Sequence, residues 1–247
     1  MRLDLFLFEN GYTSSRAEAK AFILAGAVSV GGRIILKPAF DFTSEQAEII
    51  LDKSDKKYVS RGGLKLEGAI SEFKIDVKSK LALDVGASSG GFTDCLLQNG
   101  ARHVIAVDSG SGQMVEKLRL DERVTVRENF NARYMSRDDF EYAPEVAVMD
   151  VSFISATYII PAIYEVLDSN ADFICLIKPQ FEVGRAYIGK GGVVKDERAR
   201  KMAIDKVVDS ALGVGFELLK IITSPITGGD GNVEFLAHFR KTLKNGV

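Results

Sequence analysis

The sequence predicts an α/β protein in two parts: a small α+β module, then a larger, mostly parallel sheet with helices on its faces. Three observations carry that expectation. From about residue 80, short apolar runs alternate with helical stretches, as buried parallel strands and their crossover helices do. The first of these runs ends in a glycine-rich turn that opens a helix. The first 65 residues lack this alternation and read as two short helices followed by a hairpin. A chain of 247 residues has room for a small and a medium domain, and 46% hydrophobic with 27% charged residues excludes wholesale disorder, collagen-like sequence and coiled coil.

In the module, residues 2–10 place Leu3, Phe6 and Leu7 on one helical face, and Gly11 stops the helix. A second helix starts at Ser15, where Glu18 three residues on makes a capping box; Ala21, Phe22 and Ala25 form its buried stripe and Gly26 ends it. Val28-Ser29-Val30, Gly31-Gly32 and Arg33-Ile34-Ile35-Leu36 form a hairpin whose two glycines suit a primed turn. Pro38 closes that strand, residues 47–51 give another, and the charged stretch 52–57 reads as a linker.

The larger part has apolar runs at 81–85, 104–107, 124–126, 146–149 and 173–177, with helices expected at 92–98, 112–120, 154–167 and about 196–212. The last of these carries Ala199, Met202, Ala203, Val207 and Ala211 at helical spacing. Two terminal runs, 216–222 and 233–239, are joined through Gly228-Gly229-Asp230-Gly231 and should pair antiparallel at the sheet edge. The total is seven strands.

Cys95 and Cys175 sit in apolar surroundings away from any partner, so neither a disulfide framework nor a zinc site is expected. No apolar run approaches the ~20 residues that span a bilayer, and Met1-Arg2-Leu3-Asp4 does not open a signal peptide; a cytoplasmic location fits best. The net charge of −2 speaks against a polyanionic partner, but it is unevenly spread. Residues 1–65 hold 10 Lys and Arg against 8 Asp and Glu, and the remainder 22 against 26.

The strongest motif is Leu83-Asp84-Val85-Gly86-Ala87-Ser88-Ser89-Gly90-Gly91-Phe92, a strand, a glycine-rich turn and a helix start. Such a turn brings backbone close to a ligand and offers it free N–H groups. Asp108 ends the next strand, where a carboxylate suits the hydroxyls of a ribose. The glycine spacing is that of neither a dinucleotide fingerprint nor a nucleotide-phosphate loop.

Residues 84–93 resemble the S-adenosylmethionine loop of FtsJ-type 2′-O-ribose methyltransferases. With Ser60-Arg61-Gly62-Gly63-Leu64-Lys65-Leu66 and Lys178-Pro179-Gln180-Phe181-Glu182, the whole chain is similar to the TlyA family of rRNA methyltransferases. Arg2-Leu3-Asp4, Ser15-Arg16-Ala17-Glu18-Ala19-Lys20 and Ala25-Gly26-Ala27-Val28 match the RNA-binding domain, of the ribosomal small-subunit protein four kind, that opens that family. The resemblance implies an RNA-binding domain over 1–57, a linker over 58–64 and a Rossmann-like seven-stranded methyltransferase, its last strand antiparallel, over 65–247. It implies a catalytic set of Lys65, Asp150, Lys178 and Glu234, the last within the final strand. Asp150 and Lys178 fall at carboxyl ends of strands, where open α/β sheets bind ligands. S-adenosylmethionine would meet Asp84, Gly86, Ala87, Ser88, Gly90, Gly91, Phe92, Asp108 and Asp150. Asn129 stands where the family usually has an aspartate near the adenine, and it reads equally well as a turn residue.

For RNA, Arg16 and Lys20 lie four apart on one helix face and Arg33 and Lys37 flank the return strand, and Arg2 and Arg61 are further candidates. The implied partners are ribosomal RNA or ribosomal subunits, with neither membrane nor metal. Three alternatives compete. A base methyltransferase needs an exposed cysteine, or an Asn/Asp-Pro-Pro-aromatic turn where this chain has Asp150-Val151-Ser152-Phe153. A haemolysin-like protein needs a spanning or strongly basic amphipathic helix. A non-catalytic RNA-binding protein would not need the four-residue set. Finally, Gly189-Lys190-Gly191-Gly192 reads either as a loop that closes on substrate or as plain surface.

Overall fold

The computed structural model describes residues 1–13, 15–24, 26–41, 48–51 and 57–242. Ala25, Ala47 and most of the 52–57 stretch lie outside the described residues, as does the side chain of Ala21. The chain divides into two compact units, Met1–Arg61 and Gly62–Val247.

In the first unit, α1 (Leu3–Glu9) and α2 (Arg16–Leu24) precede β1 (Val28–Val30), β2 (Arg33–Ile34) and β3 (Ile49–Leu51), a sheet in the order β2-β1-β3 with both pairings antiparallel. Leu3, Leu7, Ala19, Ile23, Val28 and Ile35 form its core. Both glycines of the hairpin turn have positive φ, 56° and 75°, as the primed turn requires. At the start of α2, the Ser15 hydroxyl accepts from the Glu18 N–H at 3.1 Å, one half of the expected capping box.

The second unit opens with α3 (Gly62–Phe73), whose first three residues fall in the expected linker. Leu66, Ala69, Ile70 and Phe73 give it a helical apolar stripe, but Gly62-Gly63 at its start reads as a breaker. Next come β4 (Leu81–Val85), α4 (Gly91–Gln98), β5 (His103–Val107), α5 (Glu116–Arg119), β6 (Val124–Arg127), β7 (Val146–Met149), α6 (Ile160–Val166) and β8 (Asp172–Ile177). The chain ends through α7 (Pro179–Glu182), α8 (Glu197–Val214), β9 (Phe216–Thr223) and β10 (Phe235–Lys241). The helix expected over 112–120 shrinks to the four residues of α5. That expected over 154–167 splits into a 3₁₀ turn, Ala156–Tyr158, and α6, because Pro161 can enter a helix only in its first turn.

The sheet order is β6-β5-β4-β7-β8-β10-β9. All pairings among β4 to β8 are parallel, and β10 runs antiparallel to both of its neighbours. The strand order reverses at β4, so a crevice opens at the carboxyl ends of β4, β5 and β7. Register aligns those ends: Val85 pairs with Val107 on one side and Met149 on the other. Every residue of β4, β7 and β8 is buried, which is why β7 reads as a continuous apolar run and β4 and β8 as apolar runs with a single acid each, Asp84 and Asp172. At the opposite end, Asp172 accepts from His238 at 2.9 Å and Arg240 at 2.7 Å and pairs with Lys80 at 3.3 Å, pinning β8 to β10 and to the entry of β4. Burial works against its ionisation, yet the His238 and Arg240 hydrogen bonds hold its carboxyl well below the usual range.

Candidate active site

Each strand of the crevice delivers one residue of the site just beyond its end. Gly86 follows β4, Asp108 follows β5, Asp150 follows β7 and Lys178 follows β8. Together the first three help to line a cleft of about 610 Å³.

The glycine turn forms one wall. Gly86 has φ +85°, and a Cβ there would lie 2.4 Å from the Asp150 carbonyl oxygen, so the β4 turn can pass under the β7 segment only without a side chain. Gly90 caps α4 in the left-handed region at φ 95°. Asp108 binds the turn from the next strand, its Oδ2 accepting from Ser88 N at 2.8 Å and its Oδ1 from Gly110 N at 2.7 Å. Each oxygen keeps a second lone pair for a ribose hydroxyl. Beneath the turn, Asp84 is fully buried and accepts from the Thr93 hydroxyl at 2.7 Å through Oδ2, whereas its Oδ1 has no hydrogen-bond partner. Burial pushes its carboxyl up to about 7, aided by the nearby charges of Asp150 and Asp108.

The expected cofactor residues thus separate into two layers. Gly86, Ser88, Asp108 and Asp150 face the cleft; Asp84, Ala87, Gly91 and Phe92 are buried behind it and shape the turn. Asn129 does not face the cleft. It is exposed, in the left-handed region at φ 54°, and donates its N–H to Gly110 O at 3.0 Å. The next two residues, Phe130 and Asn131, line the wall instead, with Asn131 Oδ1 accepting from Arg133 N at 3.2 Å. Sequence reasoning missed this pair because the turn after β6, not the strand, decides which residue points inward.

The expected catalytic groups form two ion pairs. Lys178 Nζ lies 2.5 Å from Asp150 Oδ1 and donates to Ser152 Oγ at 2.7 Å. Lys65, on α3, donates to Glu234 Oε2 at 2.6 Å, and both side chains are nearly buried. Burial raises the Asp150 carboxyl, but the positive charges of Lys178 and Lys65 outweigh it and hold the group below its usual value. Lys65 is therefore near enough to act on the Lys178–Asp150 pair. Glu234 falls just before β10 and not within it: Gly228 N donates to Asn232 O and the Asn232 amide binds Val194 N and Gly192 O, a turn that delays the strand to Phe235. Asn232 thereby also ties down the 189–192 loop. A Cβ on Gly228 would meet Glu234 Oε1 at 2.5 Å.

In the first unit, Arg2 and Arg16 converge on one carboxylate. Arg2 grips buried Asp4 through two bonds of 3.0 Å, and Arg16 Nε reaches the same group at 3.1 Å. Burial opposes the Asp4 charge, but these guanidiniums hold its carboxyl below the usual range. Both arginines remain about half exposed. Lys20, Arg33 and Lys37 are exposed, while Arg61 is partly buried with its stem against Gly26.

The sheet order, the glycine turn and the acid after β5 define an S-adenosylmethionine-dependent α/β methyltransferase, and the cleft fits that cofactor: a cradle closed to any side chain at Gly86, a ribose-compatible carboxylate and an unpartnered buried acid oxygen below. The chain belongs to the FtsJ-like methyltransferase family, whose model matches residues 58–241, and an S4 domain model matches residues 1–47. It is 44% identical to Hemolysin A of Brachyspira hyodysenteriae over 97% of this chain and 99% of that protein. It is 39% identical to the 16S/23S rRNA (cytidine-2′-O)-methyltransferase TlyA of Mycobacterium tuberculosis over 97% of this chain and 89% of the relative. A solved structure from Streptococcus thermophilus, named as a hemolysin, superposes with a TM-score of 0.77 at 42% identity, covering 98% of this chain and 89% of the other. Among the described residues, no helix is long and apolar enough to cross a membrane.

Proposed function

We propose that the protein methylates the 2′-hydroxyl of a cytidine ribose in ribosomal RNA, with residues 1–61 binding the RNA and residues 62–247 carrying out the transfer. The observation that carries this reading is Lys178 at the carboxyl end of β8, paired with Asp150 and beside the cofactor cleft. S-adenosylmethionine, when bound, supplies an electrophilic methyl group. The ribose oxygen can accept it only as its proton leaves, which calls for a basic group at hydrogen-bond distance. Lys178, once its ammonium has shed a proton to solvent, takes the hydroxyl proton, Asp150 holds the amine in place and neutralises the ammonium that re-forms, and Lys65 with Glu234 orients the ribose. Gly86, Ser88, Asp108 and Asp150 hold the cofactor, with Phe130 and Asn131 taking the adenine side that the sequence assigns to Asn129.

Cytosine C5 chemistry, by contrast, needs a reactive thiol, and Cys95 and Cys175 are both fully buried; burial pushes the Cys175 thiol far above its ordinary value. The named activity of the mycobacterial relative supports the 2′-O reading. A ribosomal RNA substrate places the enzyme with ribosomes in the cytoplasm, and Arg2, Arg16, Lys20, Arg33, Lys37 and Arg61 supply its phosphate contacts. Mapping ribose methylation on rRNA from cells with and without the gene tests the reading, together with Lys178→Ala, which should abolish methylation while cofactor still binds. An unchanged methylation map, or near-normal turnover by that variant, refutes it.

A further inference from the structure

The segment after β7 is gripped by a single turn of helix. Lys178, which caps α7, donates to Ser152; Phe181, three residues on, lies 5.3 Å from the Phe153 ring; and Glu182, four residues on, accepts from the Ser155 hydroxyl at 2.5 Å and from Ala156 N at 2.7 Å. This is the i, i+3, i+4 spacing of one helix face. Glu182 is itself buried and neutralised by Lys206 at 3.1 Å. Within this grip Phe153 sits at φ +66°, a conformation a bulky residue rarely adopts without support from its surroundings. Ser152 is thus held in place from both sides, although it is exposed and lines the cleft.

We propose that Ser152 is a positioning residue for Lys178, fixing the direction from which the amine meets the ribose hydroxyl. The proposal rests on the reading of Lys178 as the base. Asp150 and Ser152 are two residues apart, and both side chains reach the same amine. A neutral lysine nitrogen has two N–H bonds and one lone pair. Asp150 Oδ1 holds the nitrogen by charge at 2.5 Å without accepting a hydrogen bond from it, so the one directional contact is Ser152 Oγ, which accepts an N–H at 2.7 Å and fixes rotation about the terminal bond, leaving the lone pair clear of the segment after β7. As the O–CH₃ bond forms and the S–CH₃ bond breaks, its electron pair staying on sulfur, the hydroxyl proton passes to that lone pair. Asp150 alone leaves the amine free to turn about a single contact.

The test uses the full-length protein, S-adenosylmethionine and deproteinised rRNA from cells lacking the gene. Ser152→Ala should lower the single-turnover methylation rate roughly tenfold, the scale of one lost orienting hydrogen bond. Cofactor affinity by calorimetry, half-saturating RNA concentration and melting temperature should stay at wild-type values, and Ser152→Thr, which keeps the oxygen, should restore the rate. A wild-type rate in Ser152→Ala overturns the proposal, as does weaker binding at an unchanged rate, or a failure of Thr to rescue. Normal turnover by Lys178→Ala instead overturns the base assignment beneath it.

Discussion

Replacing Lys65 by methionine strips the Glu234 carboxylate of its cation while leaving it 2% exposed. At 2.6 Å the gross attraction in the pair is about 6 kcal/mol for an effective dielectric constant of ~20. Much of that is offset by desolvation of the two charges, so the pair need add little net stability. Breaking it by removing one partner is different, because the remaining charge stays buried and uncompensated, at a cost of about 3–5 kcal/mol. That is a large part of the ~5–15 kcal/mol that holds a typical domain together. The Lys65→Met variant should therefore unfold at markedly lower urea concentration, whereas Lys65→Met combined with Glu234→Leu should recover most of the loss, since both charges go together. Equilibrium urea denaturation of the two variants and the parent closes the cycle. A Lys65→Met variant within about 1 kcal/mol of the parent would refute the argument that this pair is effectively buried.

Gly86→Ala should keep the fold but weaken S-adenosylmethionine binding at least roughly tenfold in calorimetry, because the left-handed backbone disfavours alanine by ~1–2 kcal/mol and the new Cβ displaces the Asp150 carbonyl. Asp84 gives a pH signature: its native carboxyl titrates near 7 and its unfolded one near ~4, so between these values only the native state keeps the proton. Stability from this group therefore falls as pH rises from 4 to 7, by up to ~1.4 kcal/mol per unit, and levels off above; a stability difference between parent and Asp84→Asn that is flat across that window would contradict it. Replacing Arg16 and Lys20 by alanine should flatten the salt dependence of rRNA binding by a slope of about 2, one per phosphate contact, and an unchanged slope would place the RNA on another face.

The parallel strands were legible because burial on both faces leaves β7 wholly apolar and β4 and β8 with one acid each, Asp84 and Asp172, and the carboxyl-end positions of Asp150 and Lys178 followed from them. What lay beyond the strand ends was less visible. The turn after β6 turns Asn129 outward and Phe130 and Asn131 inward, and two residues of loop geometry have no periodic signal. Gly62-Gly63 concealed a helix whose apolar stripe at 66, 69, 70 and 73 was there to be read. Ser152 carries no pattern at all; only the tertiary contact with Lys178 singles it out. The basic face of the first unit reads from sequence as free charge, but Arg2 and Arg16 also serve Asp4, so part of their charge is already answered within the protein.

The position of β10 sets an order in time. β10 follows β9 in the chain yet inserts between β8 and β9, joining Arg240 to Asp172 across 68 residues of chain. Until it arrives, β8 has no neighbour on one side, β9 has nothing to pair with in the sheet, and Lys65, made far earlier, waits for Glu234. Such a long-range closure is intrinsically slow. In chain order, then, Lys65 precedes the partner that neutralises it by 169 residues, and both strands beside β10 precede the strand that joins them.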